Sequence, residues 1–203
     1  MNRNLIIINL TIILLLAVAY ISGYYFLNYP LEFNFRYSLK ESGFEYFPAI
    51  LAVTALITYL VSNLSIKNLS FKAKFLRIYP ILNSIILLFF IISFGTELIK
   101  KQKELSEKET EYGLQAQKDI QNDQVTLSYA GGFSIPSYNK STLSKIRDIR
   151  KKYGVIYTNT GCIIDPIDLK AQKKYTEIVN PYLEKRNGKG WEDKMQKEID
   201  GLK

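Results

Sequence analysis

The chain has 203 residues, a formal net charge of +8, no histidine and a single cysteine, Cys162. Without histidine, Ser-His-Asp and Cys-His catalysis and His-ligated zinc, copper or haem are excluded; one cysteine excludes an internal disulfide and a Cys-held iron–sulfur cluster. Residues 1–103 carry a net +6 and residues 104–203 only +2, so the basic balance belongs to membrane-flanking segments, and a nucleic-acid partner, which needs a basic soluble domain, is not expected.

Three stretches in the first half, Leu5–Leu27, Tyr46–Leu64 and Ile78–Thr96, contain no Asp, Glu, Lys or Arg. A helix crosses the hydrocarbon layer with about 20 apolar residues, so each is expected to span a membrane. The first follows a short basic start at Arg3 and also has the form of a signal peptide with a small-residue site after Ala19. The apolar run continues through Ile21, Tyr24, Tyr25, Phe26 and Leu27, which favours an uncleaved anchor.

Asn28–Glu45 is a loop rich in aromatics, among them Tyr29, Phe33, Phe35, Tyr37 and Phe44. Rings with one wet end suit the headgroup layer; a loop packed on itself is the other reading. Pro48 and Pro80 each fall near the start of a span, where a missing N–H costs little. Between those spans, Ser65–Arg77 holds Lys67, Lys72, Lys74 and Arg77 and no acid, which places it in the cytoplasm. The start is then inside, the first loop outside and the C-terminal domain outside. Lys100, Lys101 and Lys103 argue the other way, but acidic residues follow them closely.

Within the spans, Asn9 and Asn83 are the notable polar residues: an amide in lipid joins two helices for about 1 kcal/mol. Buried ionisable groups, which proton relays and ion paths require, are missing from the spans, so a pump or coupled transporter is not expected. Residues 100–123 read as a solvated stalk helix, with Leu98, Leu105 and Tyr112 at heptad spacing as a candidate dimer seam.

Residues 124–203 read as a small α+β domain. Val125, Leu127 and Tyr129 alternate like a half-buried strand, ended by Gly131-Gly132, a pair without phosphate-loop spacing. Ser141 is expected to cap a helix over Thr142–Tyr153 with a basic outer face (Lys145, Arg147, Arg150, Lys151, Lys152), and Gly154 to end it. Val155–Thr158 and Cys162–Ile164 read as short strands. Asp165, Pro166 and Asp168 form a helix start, Pro181 ends or kinks that helix, and Trp191, Met195, Ile199 and Leu202 mark one face of a last helix. Asp165 with Asp168 as a carboxylate pair or calcium corner, and Cys162 as a nucleophile, are weighed against capping and inert packing, and the plain roles are preferred. The Arg186–Trp191 stretch is read as a turn rather than an anion site.

No residue is therefore assigned a catalytic, cofactor-binding or metal-ligating role. The runs Lys151-Lys152-Tyr153-Gly154, Gly161-Cys162, Tyr182-Leu183-Glu184-Lys185, Asn187-Gly188-Lys189-Gly190-Trp191 and Glu198-Ile199-Asp200 resemble a group of small Bacteroidota-type bacterial proteins over about Lys145–Lys203. That resemblance implies a bacterial envelope protein and transfers no activity. The expectation is three transmembrane helices followed by a small α+β domain on a helical stalk. The function expected is non-enzymatic, with membrane lipid and a protein as partners and no cofactor. A membrane enzyme using carboxylates and Lys on lipid or peptide, and a lipid carrier, are the alternatives.

Overall fold

The computed structural model describes residues 2–65, 69–129, 139–161 and 165–202. Those residues are 80% helical and contain one two-stranded sheet. The chain divides into two units, Met1–Gln102 and Lys103–Lys203.

The first unit holds α1 (Asn2–Leu27), α2 (Phe35–Glu41), a 3-10 turn (Phe44–Tyr46), α3 (Phe47–Asn63) and the first part of α4 (Phe71–Gln121). α1, the Phe44–Asn63 segment and α4 are each long and apolar enough to cross a membrane. Only 11–17% of their most apolar windows is buried. Leu10, Leu14, Leu56, Leu60, Ile85 and Phe89 are all more than half exposed. So large an apolar surface is rare on a soluble monomer and matches a hydrocarbon solvent.

Beside Leu16 and Phe47, the buried side chains of the unit include Asn9, Ser38, Thr54, Thr58, Ser62 and Asn83. Pro80 lies inside α4 rather than at its start, because the helix begins at Phe71, where the Ser70 hydroxyl accepts from the Ala73 N–H at 3.4 Å. A proline interior to a helix leaves the carbonyl four residues back without a donor. That carbonyl belongs to Leu76, and the Asn9 amide of α1 donates to it at 3.0 Å. Asn83 meets α3: its Oδ1 lies 3.3 Å from Thr54 Oγ1, which is also 2.9 Å from Leu51 O, so one hydroxyl proton serves either carbonyl. Both asparagines thus join helices, as expected of amides within apolar runs. Gly23 of α1 lies under the Phe94 ring of α4, where an added Cβ would run into the ring. In the first loop the aromatics pack on one another. Tyr24 packs on Tyr37 and Tyr25 on Phe33, yet Tyr37 and Phe33 stay about half exposed.

The second unit contains the rest of α4, β1 (Val125–Tyr129), α5 (Lys140–Lys152), β2 (Val155–Asn159), α6 (Pro166–Asn187) and α7 (Trp191–Asp200). β1 and β2 run parallel, with Val125 opposite Val155. Parallel neighbours need a crossover, and α5 supplies it. The core gathers Val125, Val155, Ile146, Val179, Leu183, Trp191, Met195 and Ile199.

Residues 100–123 are not a solvated stalk. Leu105 is 5% exposed and Ala116 fully buried; Ala116 belongs to the core of the second unit, with Tyr112 and Ile120 packed against it. Leu105 and Tyr112 therefore face this chain's own residues, which leaves no room for the dimer seam. α5 is capped by Asn139, whose Oδ1 accepts from the Thr142 N–H at 2.8 Å, and not by Ser141. Pro181 does not end α6, which continues to Asn187 with the proline on its exposed side. The expected strand at Cys162–Ile164 and the Gly131-Gly132 break lie outside the described residues.

Candidate functional site

The second unit has a polar groove walled by α4 and α6 with one edge of β1 at its floor. A hollow of about 200 Å³ is lined by Asp119, Gln115, Thr126, Ser128, Gln172 and Tyr175 among others. A second hollow of about 280 Å³, bordered by Lys108, Glu111 and Asp168, adjoins it through the shared walls Tyr112 and Gln115.

Asp119 fixes the floor. It is 6% exposed and its two oxygens are filled: Tyr175 Oη donates to Oδ2 at 2.5 Å, and Gln115 Nε2 donates to Oδ1 at 2.6 Å. The Thr126 N–H donates to Tyr175 Oη at 2.9 Å and lies 3.3 Å from Asp119 Oδ2. Burial, and then the bond to Asp119, push the Tyr175 phenol far above its ordinary value of 10.0, so it stays protonated. A carboxylate satisfied by several donors next to a phenol that keeps its proton is a fixed hydrogen-bonded joint, not an acid–base pair.

Among the described residues, the strand edge supplies backbone groups without a backbone partner. The Val125 N–H donates to Gly154 O at 2.8 Å, and the Thr160 N–H donates to Tyr129 O at 3.0 Å. Alternate residues of a strand turn their backbone groups to opposite sides, so Thr126 and Ser128 face the groove. Tyr175 takes the Thr126 N–H. The Thr126 carbonyl and both backbone groups of Ser128 have no backbone partner among the described residues.

The residues weighed from sequence fall elsewhere or into plain roles. Asp165 caps α6, its Oδ1 accepting from the Ile167 N–H at 2.8 Å. Asp168 does not pair with Asp165; it holds Lys108 in a partly buried ion pair that raises the Lys108 pKa. Among the described residues no three His, Cys, Asp or Glu side chains converge as metal ligands. Arg186 is committed to Asp123 through Nε and Nη2 and to the Lys152 carbonyl through Nη1, so the Arg186–Trp191 turn offers no spare guanidinium. On the basic face of α5, Lys152 pairs with Glu198 and Arg150 stacks over the Tyr157 ring at 4.5 Å. Cys162 lies outside the described residues.

Sequence reasoning missed Asp119, Gln115 and the role of Tyr175. The signal available was Tyr112, Ala116 and Ile120 at four-residue spacing, a helix face that needs a cover. The chain matches no protein-family model, no curated protein and no solved structure.

Proposed function

We propose that this is a non-enzymatic integral membrane protein of the bacterial envelope, crossing the plasma membrane three times and presenting its second unit to a protein partner. The observation that carries this reading is the edge of β1 along a polar groove, where the Thr126 carbonyl and the backbone of Ser128 have no backbone partner among the described residues. An extended partner segment gains main-chain hydrogen bonds there by joining as a short third strand, with the groove walls selecting its side chains. The joint of Asp119, Tyr175 and Thr126 holds the edge in place before a partner arrives, which lowers the ordering cost of binding. Roles as an immunity protein against a secreted toxin, or as an accessory subunit of an envelope complex, both use such a surface.

On this reading the N-terminus and the 65–77 segment are cytoplasmic and the C-terminal unit is extracytoplasmic, because that segment carries four cations and no acid. The test is a photo-crosslinking side chain placed at Ser128 or Gln172 in intact cells, with Ser144 on α5 as the control. A discrete crosslinked protein at the first two positions and none at the third supports the reading. Equal crosslinking at all three, or none anywhere, overturns it.

A further inference from the structure

A third hollow, this one in the first unit, lies where α1 ends. It holds about 230 Å³ and is lined by Tyr24, Tyr25 and Tyr37 together with Leu31 and Glu32. The rings are set at steep angles: Tyr24 and Tyr37 have centroids 5.8 Å apart at 72°, and Tyr25 meets Phe33 at 5.6 Å and 88°. Edge-to-face partners hold each other's ring planes in place. Among the described residues that line it, Glu32 carries charge and none is Lys or Arg, although Arg36 and Lys40 are close in sequence. Asn28 also borders it, with its amide turned onto the Tyr24 carbonyl at 2.8 Å.

Aromatic faces and one carboxylate attract a cation. A hard metal ion is a poor match, because calcium takes six to eight oxygen ligands and this lining is mostly carbon. A diffuse, weakly hydrated ammonium fits both the π faces and the size, which is below that of a drug-sized pocket. The position agrees. The uncharged run of α1 gives way to polar residues at Asn28, the depth at which a headgroup lies if α1 spans a bilayer.

We propose that this hollow binds an organic ammonium group, carried by a zwitterionic lipid headgroup or by a free amine. The proposal goes beyond the partner-binding reading and shares only its membrane placement, and that for the lipid source alone. The test uses the full-length protein in an uncharged detergent, observed by native mass spectrometry. The probes are phosphatidylcholine, phosphatidylethanolamine and phosphatidylglycerol of matched acyl chains, and soluble tetramethylammonium as ligand and competitor. Tyr37→Leu and Glu32→Gln change exposed residues, and Tyr46→Leu, outside the hollow, is the control. The expected result is about fivefold tighter retention of an ammonium-bearing lipid than of phosphatidylglycerol, the scale of one cation–π contact. That preference falls to parity in Tyr37→Leu and Glu32→Gln, persists in Tyr46→Leu, and is competed by tetramethylammonium. Tetramethylammonium binding sensitive to the same two substitutions without lipid preference assigns a soluble amine and upholds the site. Equal retention of all three lipids with no tetramethylammonium binding, or a preference that survives both substitutions, overturns it. Neither result depends on crosslinking at Ser128, so the two proposals fail separately.

Discussion

Asn9→Leu tests the internal logic of the first unit. The substitution keeps the side chain about the same size and removes the donor that reaches the Leu76 carbonyl. Pro80 has already deprived that carbonyl of its helical partner, so in lipid it is left with nothing. Interhelical hydrogen bonds in membranes average about 0.6 kcal/mol and reach about 1.7. Because the carbonyl has no fallback, the upper part of that range applies, and Asn9→Leu is expected to cost about 1.5 kcal/mol, a little over tenfold in the folding equilibrium. Pro80→Ala restores an N–H four residues after Leu76. In that background the same Asn9→Leu change is expected to cost less than about 0.5 kcal/mol, a coupling of about 1 kcal/mol. The assay is equilibrium unfolding of the full-length protein by SDS in mixed micelles, read by proteolysis within the first unit, for both single variants and the double. An identical cost of Asn9→Leu with and without Pro80 refutes the pairing of amide and orphaned carbonyl.

Three further outcomes are expected. Gly23→Ala places a methyl group into the Phe94 ring and destabilises the first unit by about 1–3 kcal/mol, and a second change, Phe94→Leu, restores most of the loss in the same unfolding assay. Gly154→Ala forces a side chain onto a backbone with φ +72° and sets its Cβ 2.9 Å from Arg186 Cζ, so the Tm of the second unit falls by several degrees in calorimetry, more than for Ser144→Ala on the surface of α5. The Arg186 guanidinium, with the Tyr182 hydroxyl, holds the Asp123 carboxyl at about 2, below its ordinary 3.8, and Lys152 with Tyr153 holds Glu198 below its own value. A carboxyl whose folded pKa is depressed stabilises fully above its unfolded pKa and loses that contribution as pH falls through the folded value. The second unit is therefore expected to lose stability between about pH 4 and pH 2, and Asp123→Asn to flatten that part of a Tm-against-pH curve.

The three long apolar helices were legible because a run of about 20 residues without charge is plain in sequence, with Asn9 and Asn83 standing out in two of the runs. Their joining role followed from the solvent, since an amide in hydrocarbon must find a partner. The start of the third span was misread because proline marks a first turn in most soluble helices; here Asn9 supplies the bond that makes an interior proline tolerable. The second half of α4 was misread for a different reason. Its buried face includes Ala116 and Asp119, a small residue and a charged one, among many solvated charges. Asp119 is affordable inside only because Tyr175, 56 residues later, meets it, and no local pattern announces so distant a pairing. Local chemistry was reliable where partner and residue are neighbours, as in the Asp165 cap and the glycine end of α5. The groove edge needed the parallel pairing of β1 with β2, which crosses 30 residues and sets which backbone groups face outward.

The central claim is that the first unit is dissolved in a bilayer and carries the second. The direct measurement is fractionation of cells expressing the full chain, with the membrane pellet washed in alkaline carbonate and then in detergent. The chain should stay in the pellet through carbonate and be released by detergent alone. Recovery of the full-length protein in the supernatant before detergent, as a compact monomer, contradicts the account.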